Sequence, residues 1–261
     1  MLTFCILCCQ CALRNQITSN LNKISIIYIT DWSVEQSAKI SNLIRNENIK
    51  APQLVLINGK IFSNNELTKK NQGQLELEIL NASGIDAVLL TPDFLLWGID
   101  NCRELIRKSN FYCLAANIID KTTDQPLGHQ YLLKTIGKSQ IALIGVSYDS
   151  LNFQSEVSQI DYRYPEFTIL KLIPLVENRS DFQFVLTQFE DSLDLPVDFI
   201  IGAPMKNKPQ ILSTEENGIY HLEISYDNSY NIIEIKRTNL DINSLNEDPA
   251  IKSIISKYQE K

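Results

Sequence analysis

The sequence predicts an α/β fold, because short apolar segments typical of β-strands alternate with segments of helical periodicity. Residues 23–31 are a run of β-branched and aromatic side chains that ends in a polar turn, which indicates a buried strand. Residues 34–48 follow with apolar side chains close to helical spacing, and residues 52–58 are again a short apolar strand. Strand, helix and strand in this order form a right-handed crossover, so we predict a largely parallel sheet.

The same alternation continues towards the C-terminus. The further predicted strands are residues 86–90, 111–118, 139–146, 182–186 and 197–201. The further predicted helices are residues 75–83, 99–108 and 167–176, the first of which ends before Gly84.

Two features close the predicted fold. Residues 218–226 and 231–237 alternate in polarity and flank a polar turn, which predicts a β-hairpin. Residues 249–259 form the last helix, with Asp248 as its N-cap and Pro249 in its first turn.

The simplest division of the chain is one domain covering residues 23–261, because 261 residues can bury a full core as one large α/β domain. The net charge of −7 and the lack of a long basic run argue against nucleic-acid binding. No run approaches 18 apolar residues, so we predict no transmembrane helix. Cys102 and Cys113 are expected to be small buried hydrophobic residues rather than a disulfide.

Residues 1–22 differ from the rest of the chain. Four of the six cysteines lie in the first eleven residues, at Cys5, Cys8, Cys9 and Cys11. We interpret this apolar stretch as a truncated export signal that ends in a lipid-modified cysteine, followed by a polar tether, although a basic n-region is missing. A metal-binding cysteine cluster is the alternative. The interpretation predicts a lipid anchor and a location in the cell envelope, as a periplasmic or surface lipoprotein.

Several segments resemble those of the calcineurin-like metallophosphoesterases, in particular their 5′-nucleotidase branch. The similar segments, in chain order, are residues 81–90, Gly98, residues 113–118, 141–146, 197–202, 217–224 and 246–258. The resemblance covers roughly residues 23–261. It implies a four-layer α-β-β-α sandwich of the metallo-dependent phosphatase type. It also implies that functional residues lie at the carboxyl ends of the strands, where α/β sheets generally bind ligands.

At the positions of the family's metal ligands, however, this sequence has other residues. The resemblance places Asp31 at the first aspartate of the family, but Ser33 replaces the histidine of its Asp-x-His motif. Lys60 replaces the aspartate that bridges the two metals, and Gln188 replaces a histidine. Residues 91–96 and 203–206 replace the remaining histidine-containing motifs. His129 and His221 are the only histidines, and neither lies at these positions.

These replacements predict that metal chemistry is lost. A lysine charge about 4 Å from a divalent metal would repel it by roughly 8 kcal/mol at an effective dielectric constant near 20. We therefore expect no catalytic residues, no metal and no cofactor, and a catalytically inactive domain that binds a partner or assembles with other proteins. The alternative is a metal-dependent phosphoesterase or 5′-nucleotidase with non-standard ligands.

The expected binding site is a vestigial pocket, called here the strand-end pocket. Its residues are Asp31, Ser33, Lys60, Thr91, Asp93, Gln188 and Lys206. One hypothesis is that the two lysines neutralise the two aspartates in place of metals, and the alternative is that the lysines point to solvent. The pocket would bind an unknown protein partner or a small anionic ligand. Trp32 and Trp97 flank it, either as a stacking surface or, as we favour, as hydrophobic filling.

Overall fold

The computed structural model describes residues 21–30, 32–51, 53–63, 66–147, 159–189, 194–202 and 218–260. In these ranges the strands are β1 (Asn22–Ile29), β2 (Leu54–Ile57), β3 (Ala87–Leu89), β4 (Tyr112–Leu114), β5 (Ile118–Asp120), β6 (Gln125–Pro126), β7 (Tyr131–Ile136), β8 (Ser139–Gly145), β9 (Ile160–Tyr162), β10 (Phe182–Leu186), β11 (Phe199–Ile201), β12 (Ile219–Tyr226) and β13 (Ile232–Asn239). The α-helices are α1 (Val34–Lys50), α2 (Glu66–Asn71), α3 (Gln74–Ser83), α4 (Gly98–Lys108), α5 (Pro165–Val176) and α6 (Pro249–Gln259). Short 3-10 helices cover Pro92–Leu95 and Glu177–Arg179.

Two mixed sheets form the centre of the fold. Sheet 1 has the strand order β13-β12-β1-β2-β3-β4, in which β1 to β4 are parallel and the hairpin strand β12 is antiparallel to β1. Sheet 2 has the order β11-β10-β8-β7, with β7 antiparallel to the others. A small antiparallel sheet, β6-β5-β9, lies beside them. The predicted largely parallel sheet is therefore corrected to two mixed sheets.

The side chains of β1 show how the layers are arranged, because successive residues of a strand point to opposite faces. Ile26 and Tyr28 belong to the core between the two sheets, whereas Ile27 and Ile29 belong to the core beneath the helices of sheet 1. Helices α1, α3, α4 and α6 cover the outer face of sheet 1, and α5 covers the outer face of sheet 2. The predicted four-layer α-β-β-α sandwich is thus confirmed.

The predicted elements are present, but one of them is divided. The strand predicted over residues 111–118 ends at Leu114 and resumes as β5 in a different sheet. Asn117 stabilises the break, because its side-chain amide donates to the carbonyl oxygen of Ser147 (2.7 Å) and its side-chain oxygen accepts from the amide of Ser147 (2.9 Å). Helix α2 and the strands β6, β7 and β9 were not predicted from the sequence.

Two helix caps help to place elements around the strand ends. Ser33 caps α1 by accepting a hydrogen bond from the amide of Gln36 (3.3 Å). Asp248 caps α6 by accepting from the amide of Ala250 (2.9 Å), which confirms the predicted N-cap. No helix within the described ranges is long and apolar enough to cross a membrane.

Candidate functional site

The carboxyl ends of the parallel strands of both sheets meet around Asn58, which directly follows β2. The Asn58 side-chain amide donates to the hydroxyl of Tyr28 on β1 (2.7 Å) and to the carbonyl oxygen of Thr187, which follows β10 (2.7 Å). Gln188 donates from Nε2 to the carbonyl oxygen of Asn58 (3.1 Å). Asn58 therefore connects the two sheets at the edge where a ligand would be expected.

The junction, which is the contact between the two sheets around Asn58, is too close-packed to leave room for side chains at its glycines. Gly202, which follows β11, has a φ of +89°, a conformation that favours glycine. A β-carbon at this residue would overlap the carbonyl oxygen of Thr187 and would lie 2.5 Å from the side-chain nitrogen of Asn58. At Gly59 a β-carbon would lie 2.5 Å from the carbonyl oxygen of Thr30. The backbone of the two sheets thus fills part of the strand-end edge.

Two oxygen atoms of this junction are buried without a hydrogen-bond partner in the part of the chain that the structure describes. They are Oδ1 of Asn58 and Oγ1 of Thr187. Burial also raises the pKa of Tyr28, which stays neutral at physiological pH. The strand-end pocket proposed from the sequence did not include these three residues. A polar residue that directly follows a buried strand was the available signal, at both Asn58 and Thr187.

Asp93, in the 3-10 helix after β3, has hydrogen bonds to both carboxylate oxygens. Its Oδ2 accepts from the backbone amides of Ile61 and Phe62 (2.8 Å each), and its Oδ1 accepts from the hydroxyl of Thr91. Asp93 and Thr91 are both buried. Burial raises the pKa of Asp93, and these hydrogen bonds oppose the shift. The carboxylate holds the loop after β2 in place.

Lys60 lies in that same loop, and its side chain is exposed. Among the residues that the structure describes, no ion pair joins Lys60 to Asp93, whose oxygens are occupied by the contacts above. Backbone amides of the loop, and not the Lys60 side chain, contact the Asp93 carboxylate, so the hypothesis that Lys60 neutralises Asp93 stays a prediction without a direct contact to support it. Asp31 and Lys206 lie outside the described residues, so the other half of the hypothesis stays a prediction.

The remaining residues of the strand-end pocket take structural positions. The Ser33 hydroxyl is used for the cap of α1, and Gln188 binds the backbone of Asn58. Trp32 is buried. The ring of Trp97 packs edge-on against Phe62, with the ring centroids 5.7 Å apart. These contacts support the interpretation of the tryptophans as hydrophobic filling.

Neither histidine belongs to the strand-end pocket, although the backbone of His129 pairs with Leu114, the last residue of β4. His221 on β12 is hydrogen-bonded to the hydroxyl of Ser25 (2.7 Å), and exposed His129 packs against the ring of Tyr112. Cys102 and Cys113 are both free and buried, which confirms that they do not form a disulfide. Burial raises the pKa of the Cys113 thiol to about 12.

Comparison with known proteins identifies structures with a similar fold. No protein-family model and no curated protein matches the sequence. Among solved structures, the calcineurin-like phosphoesterase YfkN of Bacillus subtilis matches with a TM-score of 0.69 and 15% identity, over 92% of this chain and 97% of that chain. The chain has the calcineurin-like phosphoesterase fold. The resemblance seen in the sequence is thereby confirmed at the level of the fold.

Longer proteins contain the same fold. The NAD nucleotidase NadN of Haemophilus influenzae matches with a TM-score of 0.68 and 12% identity, over 92% of this chain and 60% of that chain. The sulfate thiohydrolase SoxB of Thermus thermophilus matches with a TM-score of 0.66 and 14% identity, over 86% of this chain and 46% of that chain. The chain thus spans about half to three-fifths of the length of these two proteins.

The described residues do not suit the two-metal centre that the calcineurin-like phosphoesterase fold implies. Such a centre needs several carboxylate and imidazole ligands around two ions. Within the described ranges, no group of three or more His, Cys, Asp or Glu side chains could hold a metal ion. The Asp93 carboxylate accepts hydrogen bonds from two backbone amides, and Lys60, in the loop after β2, is exposed.

Proposed function

We propose that this chain is a catalytically inactive relative of the phosphoesterases that binds a protein partner or a small anionic ligand at its strand-end edge. The observation that carries the proposal is the set of hydrogen bonds made by the Asp93 carboxylate. This carboxylate is buried and accepts hydrogen bonds from two backbone amides and a hydroxyl, so both of its oxygens already have partners. A carboxylate used in this way supports the loop rather than a metal.

The residues around Asp93 favour binding over hydrolysis. Two-metal hydrolysis needs a metal-activated water and positive charge on the transferring phosphoryl group. Lys60 supplies a cation at the position of the bridging ligand, and it is exposed to solvent. An exposed lysine at a strand end can attract an anion without activating water.

We further propose that residues 1–22 are an export segment and tether with a lipid-modified cysteine, and that residues 23–261 are the binding domain in the cell envelope. The cysteine-rich apolar start of the sequence supports this assignment.

The decisive experiment is metal analysis of the purified protein, after incubation with Mn²⁺ and Zn²⁺, together with hydrolysis assays on AMP and an aryl phosphate. We expect far less than one bound metal ion per chain, and hydrolysis of both substrates no faster than in buffer without protein. YfkN, prepared and assayed in parallel, controls for the method. Near-stoichiometric metal with turnover would instead establish a phosphoesterase with non-standard ligands.

Titration calorimetry with phosphate and AMP tests the anionic ligand. If Lys60 contributes to binding, Lys60→Gln weakens it, whereas Lys138→Gln, in the exposed turn between β7 and β8, leaves it unchanged. If neither phosphate nor AMP gives heat of binding, the anionic ligand is excluded and a protein partner remains as the proposal.

A further inference from the structure

Helix α5 carries apolar side chains on both of its faces. Its inner face packs Ile169, Leu172 and Val176 against sheet 2. Its outer face exposes Phe167 (66%), Leu170 (46%) and Leu175 (55%), and Tyr164 (63%) directly precedes the helix. Glu166 and Lys171 are the only charged residues among its twelve. A helix that is apolar all round is normally covered on both sides, so the outer face should have a partner.

The size of this patch helps to identify the partner. Four of the eight exposed large apolar side chains within the described ranges belong to it. Their exposed area is roughly 500 Å², which is in the range of functional surface patches. A stable protein dimer buries about 800 Å² on each partner, together with complementary shape. A second copy of this chain would therefore need more surface than the patch offers, whereas a lipid surface requires no matching shape.

Asn22, the first residue of β1, lies at the same end of the molecule as the C-terminal end of α5. Ser139, the first residue of β8, donates a hydrogen bond to the hydroxyl of Tyr226 (2.6 Å), and the register partner of Tyr226 in sheet 1 is Asn22. Gln140 is hydrogen-bonded in both directions to Asp181, which lies just beyond α5 (2.7 and 2.8 Å). The ten residues between Cys11 and Asn22 can extend to about 35 Å. An anchor at the cysteine cluster could therefore hold α5 against the membrane that contains it.

We propose that the outer face of α5 lies on the surface of a lipid bilayer. The proposal rests on the envelope anchoring proposed above. Phe167, Leu170 and Leu175 would enter the boundary between headgroups and acyl chains, as interfacial amphipathic helices do. Lys171, on the same face, would extend its charged end to the headgroups. The net charge of −7 favours a zwitterionic bilayer over an anionic one.

The test uses the full, unlipidated chain and vesicles of phosphatidylcholine. We expect co-sedimentation with the vesicles and slower amide hydrogen exchange in residues 163–176 when vesicles are present. The double variant Phe167→Gln/Leu175→Gln should weaken vesicle binding by about ten-fold or more, because each change removes a large apolar side chain from the contact. Ile233→Gln on β13 is the matched control, since Ile233 is also 55% exposed, and it should bind like the wild type.

Three outcomes would overturn the proposal. Equal vesicle binding by the wild type and the α5 variant would show that α5 makes no contact. In a second outcome, vesicles slow amide hydrogen exchange in residues 1–20 only, and the effect is lost in a Phe4→Ser/Ile6→Ser variant. That result would support membrane contact by the N-terminal anchor and none by α5. A doubling of molecular mass without vesicles, abolished in the α5 variant, would assign the face to a second copy. Protection of α5 that persists in the Phe4→Ser/Ile6→Ser variant would support the α5 contact and count against the anchor.

Discussion

At the strand-end edge, the buried carboxylate of Asp93 is surrounded by donors from its own chain. The amides of Ile61 and Phe62 share its Oδ2, and the hydroxyl of Thr91 binds its Oδ1. Removing the carboxylate would leave buried donors without an acceptor, which is more costly than the net gain from a hydrogen bond.

We therefore expect Asp93→Ala to lower the free energy of unfolding by about 2–4 kcal/mol, because two buried amides lose their acceptor. Asp93→Asn keeps one side-chain oxygen for those amides, and it should cost less than half as much. Urea unfolding of both variants measures the difference. Equal losses would mean that the hydrogen bonds do not account for the role of Asp93.

Glu76, on α3, is a second buried carboxyl. Its Oε1 accepts from the hydroxyl of Thr68, while its Oε2 is buried and has no hydrogen-bond partner among the described residues. Burial raises the pKa of Glu76, the Thr68 hydrogen bond opposes the shift, and the nearby charge of Glu35 adds to it. The folded state therefore holds the Glu76 proton more tightly than the unfolded state does.

This shift predicts how stability changes with pH. A raised carboxyl pKa contributes stability in full below its unfolded value, near 4.5, and that contribution is lost as the pH rises through the folded value. We expect Glu76→Gln, which cannot ionise, to gain stability relative to the wild type as the pH rises from 4.5. The limit is about 1.4 kcal/mol per pH unit. Urea unfolding at pH 5 and pH 8 tests this, and an unchanged difference between the two proteins would contradict it.

At the scale of elements, the two sheets meet where β2, β10 and β11 end. The hydrogen bonds of Asn58 and the absence of a side chain at Gly202 allow the strand ends to approach this closely. Tight packing of this kind tolerates added atoms poorly.

We expect Gly202→Ala to destabilise the protein by about 3 kcal/mol or more, from both backbone strain and the clash with Thr187. Gly98→Ala is the matched control, because Gly98 has a similar φ of +83° but no atom of the described residues within 4 Å of the place that a β-carbon would take. It should cost only about 1 kcal/mol. Thermal unfolding compares the stability of the two variants. A similar loss of stability in both would show that the clash with Thr187 is absent.

Helix α6 is attached to the rest of the fold through Asp248. This buried carboxylate accepts hydrogen bonds from Ser41 (2.7 Å) and from the amide of Ala250 (2.9 Å), and it forms an ion pair with Arg45 (3.0 Å). The cap thus also joins α6 to α1.

Asp248→Ala should lower stability by about 2–3 kcal/mol, because the cap and a buried acceptor are lost together. Hydrogen exchange in residues 249–259 should become faster than in the rest of the domain. Glu247→Ala is the control, since Glu247 pairs with an exposed lysine, Lys252, and such surface pairs have little effect on stability. Unchanged exchange in α6 of Asp248→Ala would argue against this attachment.

For the whole molecule, the proposed loss of metal binding has a thermodynamic consequence. A metal at about 100 times its Kd would add about 2.7 kcal/mol to the stability of the folded state. Such a gain would raise the Tm of a domain of this size by roughly 5–10 °C. We expect Mn²⁺, Zn²⁺ or EDTA to change Tm by less than about 1 °C, measured by calorimetry. A rise of several degrees that EDTA reverses would show that a metal site exists.

The order and type of most elements could be predicted from the sequence, since hydrophobic periodicity is a local property of each segment. The predicted strand at residues 182–186 and the closing helix at residues 249–259 match β10 and α6 residue for residue. The similarity of several segments to calcineurin-like phosphoesterases also predicted the four layers. The break after β4 was missed because it depends on Asn117 and Ser147, which are 30 residues apart.

The sequence by itself determined the α/β class and the cap at Asp248, and the replacement of the family's metal ligands stays a prediction from the sequence. Only the tertiary structure showed that Asp93 accepts hydrogen bonds from backbone amides of the loop after β2, and that Asn58 joins the two sheets through Thr187. The reason is physical. Strands and helices follow from neighbouring residues, whereas the partner of a buried polar group is set by segments that are distant in the chain and meet only on folding.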